Sequence, residues 1–514
     1  MKVRKKYILI ISILVLLLGS VVSLWNHNTY VTVEGDRYSK TSDILDMRGT
    51  EISIEYYSAL SEALPDTDIL WDVPFQELFY PEDTQQLTVN DITSEDIDVL
   101  KHFPALQTVE VTSCTNYDVL MTLQDTYPTL EILYTVKIDG QDHAWDTPEI
   151  KISSLSDVDL ERIQYLPFLE TVNADGCDLD RLRILQETFP GLRVTYPVPI
   201  NGVLYDQTTT SLSLENANLT ELLDAFWHLK KLSSVSLTDP EGTSEELHEL
   251  LDTYPYITFA WSRNVLGIPI TSTDIEVDLS VTAPGSLEQV AEELAWFPCV
   301  ETVYMFDLPF DHEAMASFRE RNRAEYKVIW NVDIGPYILR SDATTFMPVK
   351  TGRHLFNNEA YNLRYCEDMV CIDLGHNFLT DCEWAQYMPH LKYLVLADTQ
   401  ITDIEPLSGL KELVFLEIFM TEVTDYSPLI GCTGLDDLNI GHTSGDGEPL
   451  KQMTWLKRLW WAKSPEDEIE YQEYLPNTVL QFDLHFSTGE GWRKGEHYYE
   501  MRDALGMPYM PSES

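Results

Sequence analysis

The side chains of this chain that could bind a metal or move a proton stand apart instead of forming a motif. His497 lies beside Glu496 and three residues before Glu500, and His376 follows Asp373 by three, pairings that could offer an imidazole and a carboxylate to one ion. Isolated histidines of this kind more often sit solvated on a surface. Ser487-Thr-Gly-Glu-Gly491 is glycine-rich, yet no lysine follows at the spacing of a phosphate-binding loop. The chain holds no His-Glu-x-x-His, no nucleophile elbow and no Cys-x-x-Cys. With 85 acidic residues, neighbouring carboxylates arise from composition alone, so they are no signature of glycoside hydrolysis. The sequence therefore points away from an enzyme and calls for no cofactor or metal.

What is patterned is the apolar skeleton. Met369-x-x-Ile372-x-Leu374 returns as Leu391-x-x-Leu394-x-Leu396, Leu413-x-x-Leu416-x-Ile418, Leu435-x-x-Leu438-x-Ile440 and Leu456-x-x-Leu459-x-Trp461. The step is 21 or 22 residues. Asn377, Thr399, Thr421, Thr443 and Ser464 follow each series by three residues, where a small polar group can satisfy backbone turned inward at a bend. Pro406, Pro428 and Pro449 recur in the return arms, which limits those arms to short turns. This pattern is the leucine-rich-repeat signature. Residues 369–464 resemble bacterial repeats of the internalin type, which implies stacked coils with a short parallel strand in each.

In such a strand alternate residues point to opposite faces. The outward places read Cys371 and Asp373, Tyr393 and Val395, Phe415 and Glu417, Asp437 and Asn439, Arg458 and Trp460, with Phe419 two further on. Solvent does not require Tyr393, Val395, Phe415, Phe419 and Trp460 on adjacent rungs, and clustered apolar groups with a polar rim mark interaction sites. Tyr393, Val395, Phe415, Glu417, Phe419, Asp437, Asn439, Arg458 and Trp460 are the candidate binding residues. The competing use of the same face is to seat the tail, whose Tyr498, Tyr499, Met507, Tyr509 and Met510 need a packing surface.

Upstream the period is longer. Phe103-Pro-Ala-Leu-Gln-Thr-Val109, Leu166-Pro-Phe-Leu-Glu-Thr-Val172 and Leu229-Lys-Lys-Leu-Ser-Ser-Val235 are 63 residues apart, and Phe297-Pro-Cys-Val-Glu-Thr-Val303 follows 68 later. Three strand-like segments per period predict three coils, two with helical return arms such as Asp159–Leu166 and Leu179–Thr188. The third returns through Val136–Gly140 or Val198–Gly202, where glycine permits the turn. Trp71, Tyr134, Tyr196, Trp261 and Trp330 form an aromatic column, better suited to burial than to stacking sugars. These long units resemble a repeat of gut-type Firmicute surface proteins, and the tail around Trp492 and Tyr498-Tyr499 resembles the ending of the same proteins.

The fold expected is α/β: a right-handed leucine-rich-repeat solenoid, with one sheet running from about residue 40 to 464, behind an N-terminal transmembrane helix. Residues 1–29 form the basic tip and anchor or signal. Residues 30–340 hold the long units, 341–368 an irregular connector (a distorted coil or an insertion between the repeat types), 369–464 the short repeats and 465–514 a cap. Lys2, Arg4, Lys5 and Lys6 precede the apolar run Tyr7–Trp25, which places an acidic body outside the cell. Its strongest stretch, Tyr7–Leu18, also suits a cleaved signal peptide, in which case the body is secreted. A net charge of −51 repels nucleic acid and favours a basic partner, though solubility alone would account for it. Seven cysteines, an odd number without even spacing, read as free thiols, with Cys366 and Cys371 the one local pair that could bond. The function expected is noncovalent recognition of a protein or cell-envelope ligand by a membrane-anchored extracellular body. The alternative is a structural spacer of the envelope.

Overall fold

The computed structural model describes residues 11–18, 20, 29–348, 353–484 and 491–507. The chain folds as two compact units, the first reaching to Thr210 and adding Leu223–Leu232, the second comprising Ser211–Leu222 and Ser233 onward. Of the run Tyr7–Trp25, the structure describes Ile11–Leu18, which are helical, and Ser20; the remainder lies outside the described residues. Among the described residues no helix is long and apolar enough to cross a membrane.

In the first unit the strands Ile44–Asp46 and Asp68–Leu70 pair in parallel, as do Gln86–Val89, Thr108–Val111 and Glu131–Ile138, and then Glu149–Lys151, Thr171–Asn173 and Arg193–Thr195. The second unit repeats the device with Ser211–Glu215, Ser234–Thr238 and Thr258–Val265, then with Glu276–Asp278, Thr302–Tyr304 and Lys327–Ile329. Three coils per long period is thus how the chain folds. Side-chain caps start the return helices where the pattern requires them. Ser156 and Asp159 form a capping box on Asp157–Ile163, and Asp178 caps Leu179–Thr188.

The expected single sheet does not form. Ile150 and the strands begun after Leu169 and Leu192 are neighbours, but Leu212 starts a separate sheet. The reason is the third return arm, which is a β-hairpin rather than a loop. Val198–Ile200 pairs antiparallel with Val203–Tyr205, and the second half of Glu131–Ile138 pairs with Gln141–Ala144. Asp139 and Gly140 both take positive φ (47° and 72°), as do Asn201 and Gly202 (50° and 73°), the backbone of the tight hairpin turn that matches strand twist. Each hairpin turns the chain back and ends the parallel ladder.

The aromatic column stands at the root of these hairpins and is buried throughout. Tyr134 donates its hydroxyl to the Tyr165 carbonyl at 2.9 Å, and the Trp261 indole N–H donates to the Trp296 carbonyl at 2.9 Å. The ladder is structural: its rings are buried, and Tyr134 and Trp261 bring their polar handles to backbone carbonyls of the following return arms.

From Thr345 the second unit carries seven parallel strands in unbroken register: Thr345–Phe346, Cys371–Asp373, Tyr393–Val395, Phe415–Glu417, Asp437–Asn439, Arg458–Trp460 and Val479–Gln481. Two of these rungs lie outside the regular series. Residues 341–368, for which a distorted coil or an insertion is expected, supply the first, so that the coil is what forms there. Residues beyond Ser464, expected to hold no further coil, supply the last, after a helix at Pro465–Tyr474 capped by Ser464. The return arms before Phe415, Asp437 and Arg458 are 3-10 turns begun around Pro406, Pro428 and Pro449, as proline at their start dictates. At the bends Thr399, Thr421 and Thr443 are buried and donate their hydroxyls to the carbonyls of Leu396, Ile418 and Ile440 at 2.6–2.7 Å. Asn377 does the same for Leu374, and its Oδ1 accepts the Leu355 amide at 2.8 Å.

Candidate binding face beneath the C-terminal strap

The parallel register stacks the outward residues into two columns. One runs Cys371, Tyr393, Phe415, Asp437 and Arg458; the other runs Asp373, Val395, Glu417, Asn439 and Trp460. All nine candidate binding residues therefore do meet on one face, with Phe419 just beyond the strand. Their exposure is the correction. Phe415 and Asn439 are wholly buried, and Val395, Glu417, Phe419, Asp437 and Trp460 keep less than a tenth of their surface. Tyr393 and Arg458 are partly buried. Periodicity tells which side chains leave the coil core, and it is silent on what covers them.

The cover is the chain's own C-terminal segment, Gly491–Met507, here called the strap. It contains a 3-10 turn at Trp492–Lys494 and a helix at Glu496–Ala504. Leu484, Trp492 and Met501 complete the apolar cluster with Val395, Phe415, Phe419 and Trp460, and Tyr498 and Leu505 pack at its edge. The Trp492 ring lies 5.0 Å from Phe415 and 5.4 Å from Trp460, centroid to centroid, and is itself wholly buried. Its indole N–H donates to Glu417 Oε2 at 2.8 Å. Tyr509 and Met510, also expected to pack here, lie outside the described residues.

Arg458 fastens the strap at a second point. Its guanidinium forks onto Asp437, Nε to Oδ1 at 2.8 Å and Nη2 to Oδ2 at 2.5 Å, while Nη1 donates to the Trp492 carbonyl at 3.1 Å. The group also lies 4.9 Å from the Trp492 ring centre, within range of a cation–π attraction. Gly495 allows this approach, because a Cβ there would run into the Arg458 guanidinium. At the third point Tyr393 donates its hydroxyl to Glu500 Oε2 at 2.8 Å, and His497 bridges Glu500 (2.8 Å) and Asp436 (3.0 Å).

Two of these groups titrate unusually. Burial pushes the Glu417 carboxyl up to about 7, against the smaller downward pull of the Trp492 N–H. For His497 burial acts downward, but the hydrogen bonds to Glu500 and Asp436 outweigh it and raise the imidazole above its ordinary value. His497 thus serves as a strap contact where a metal ligand was conceivable from spacing, and His376 pairs with Asp398 at 2.8 Å instead of Asp373. Among the described residues no group of three His, Cys, Asp or Glu is placed to hold a metal ion. All seven cysteines are free.

The arrangement is chemically a peptide seat: aromatic rings tilted against one another, a desolvated Arg–Asp fork and a buried carboxylate, holding a segment that offers an indole and cations. Sequence reasoning missed Trp492 and Leu484 as members of this site. Trp492 follows a glycine-rich stretch and belongs to no repeat, so no period marks it.

Seven rungs in register, with an apolar column inside and a polar residue closing each bend, decide the fold. The last third of this chain is a stack of leucine-rich repeats. No family model matches the chain, and neither does any curated protein. Among solved structures it is similar to an internalin C2 of Listeria monocytogenes at 24% identity, over 27% of this chain and 71% of that one, with a TM-score of 0.22. An internalin of the same species aligns at 13% identity over 80% and 90% of the two chains, with a TM-score of 0.23. A leucine-rich-repeat protein of Leptospira interrogans aligns at 13% identity over 80% and 95%, with a TM-score of 0.22. The assignment of the repeats rests on this chain's own rung register, not on these superpositions.

Proposed function

We propose that this leucine-rich-repeat protein works by noncovalent recognition, without catalysis, of a protein or cell-envelope ligand. It is held at the membrane by its basic-then-apolar N-terminus with the acidic body outside. One observation carries the recognition reading: the strand face of the last coils already holds a peptide segment by aromatic anchors and a desolvated charge fork, the means by which interfaces concentrate binding energy. The net charge of −51 favours a ligand with basic character. The basic flank ahead of Tyr7–Trp25 supports the topology.

The test uses the full chain and a Trp492→Ala variant with a loosened strap, each immobilised against envelope extracts and surface proteins. Saturable binding to a defined partner, displaced by a synthetic peptide of residues 491–507, supports the reading. The absence of any saturable partner for both forms counts against it. Protease added to intact cells should remove the body, whereas a mature chain in the medium beginning near Leu24 would mean secretion.

The second reading is a structural spacer of the envelope. A specific observation favours it: the outward aromatics that a spacer would not need are occupied by the chain's own strap.

A further inference from the structure

The strap and the face it covers meet at three polar points, and two of them contain groups whose charge the contact itself disfavours or favours. Trp492 lies over Glu417, which retains 6% of its surface, and His497 sits between Asp436 of the coil and Glu500 of the strap. The seal is also imperfect. Asn439 Nδ2 and Trp460 Nε1 are buried on the covered face with no partner among the described residues, so lifting the strap restores their hydration.

We propose that the strap Gly491–Met507 is a proton-linked cover, docked on the coil face in acid and released toward alkaline pH, and that its release bares the apolar face of Val395, Phe415, Phe419 and Trp460.

The sign follows from the groups on both sides. Glu417 is faced by Asp373 two rungs away, which raises its carboxyl, and by Arg493 of the strap and His376, which lower it; burial dominates and leaves it at about 7. With the strap lifted the carboxyl returns toward its ordinary 4.5. Its contribution to docking is therefore full below 4.5 and is lost as pH rises to about 7. His497 faces Asp436, Asp437 and Glu500, and Lys457 also pairs with Asp436 at 2.7 Å. The raised imidazole adds docking strength below its ordinary 6.5 that is lost as pH rises through the raised value. Glu500 has the opposite sign, since His497 and Tyr393 hold its carboxyl below 4.5. Its contribution is present above 4.5 and lost only as pH falls below it, outside the window set by Glu417. The Arg458–Asp437 fork keeps the coil side of the contact neutral in pair terms. Within the Glu417 window docking weakens about tenfold per pH unit, on the order of 100-fold between pH 5 and pH 8.

Hydrogen exchange of the full chain, corrected for the intrinsic pH dependence of exchange, reads this directly. Protection of the Glu496–Ala504 amides should fall on the order of 100-fold from pH 5 to pH 8, while the Leu394, Leu416 and Leu438 amides keep theirs. In Glu417→Gln, whose carboxamide oxygen still accepts the indole N–H, the fall should shrink to the part carried by His497. His497→Gln should flatten the profile only above about pH 7, where Glu417 has finished titrating. A strap whose protection is flat in the unmodified chain overturns the proposal whatever the variants do. So does an undiminished slope in Glu417→Gln, or strand amides that open together with the strap.

Discussion

Replacing Trp492 by alanine separates a strap that merely rests on the repeat stack from one that is part of its core. The indole is wholly buried between Phe415 and Trp460 and is the largest side chain the strap contributes. Truncating a buried Trp costs about 3–5 kcal/mol. Removing the N–H from Glu417 adds about 1 kcal/mol, near the low end for a lost buried partner because water can enter the vacated space. Together these come to about 4–6 kcal/mol, and even the lower end weakens docking by roughly 10³-fold. The strap belongs to no rung, so that loss should fall on docking and leave the seven-stranded sheet intact. Exchange protection of Glu496–Ala504 should drop by roughly 10³, with Leu394, Leu416 and Leu438 unchanged, and a dye that binds exposed apolar surface should bind the variant. Trp492→Phe keeps a ring over Phe415 and removes the donor, so it should lose only about 1 kcal/mol. Strap protection within threefold of the parent in Trp492→Ala would refute this account of the contact. Strand amides that fall in step with the strap would show that strap and coils fold as one.

Gly495→Ala should lift the strap as well, since the new methyl occupies the Arg458 guanidinium's place; unchanged protease resistance at Arg493 and Lys494 would count against that geometry. Thr421→Val removes a buried hydroxyl that donates to the Ile418 carbonyl at 2.7 Å, and should cost about 1–3 kcal/mol in denaturant unfolding, whereas a neutral result would mean the bend satisfies itself otherwise. Asp139 lies at a hairpin turn of the first unit, and the Ser154 hydroxyl and Ser153 amide hold its carboxyl down at about 2. Its contribution to stability is present above pH 3.8 and disappears as pH falls through about 2, so Asp139→Asn should destabilise at pH 7 and do little at pH 2.

The repeat stack was readable because its cause is local. A residue that must enter the core of a coil recurs with the coil, and Leu394, Leu416, Leu438 and Leu459 announce the register without help from the rest of the chain. The two rungs that do not show the consensus are the end ones, the first legible only as a distorted coil or an insertion and the last not at all. Aligned on the strand centres Phe346 and Leu480, the first apolar column there holds Ala343 and Asn477, and the third holds Pro348 and Phe482. An end coil has a neighbour on one side only, so its columns need not repeat the consensus. The three-coil period upstream was equally legible. The hairpins that break the sheet were half visible, as glycine at the turn, yet nothing local says that the segment after Gly202 pairs back upon Val198–Ile200.

The sequence by itself determined which side chains face out of the coils and that Tyr393, Phe415, Arg458 and Trp460 share one face, because both follow from strand alternation and equal spacing. Only the tertiary structure decided that this face is covered. That outcome depends on Trp492 meeting Glu417 and His497 meeting Asp436 across separations of 75 and 61 residues. Such pairings leave no period to read, since each occurs once. The burial they produce, and not the identity of the residues, is what moves Glu417 to about 7 and makes a surface carboxylate into a group that can sense protons.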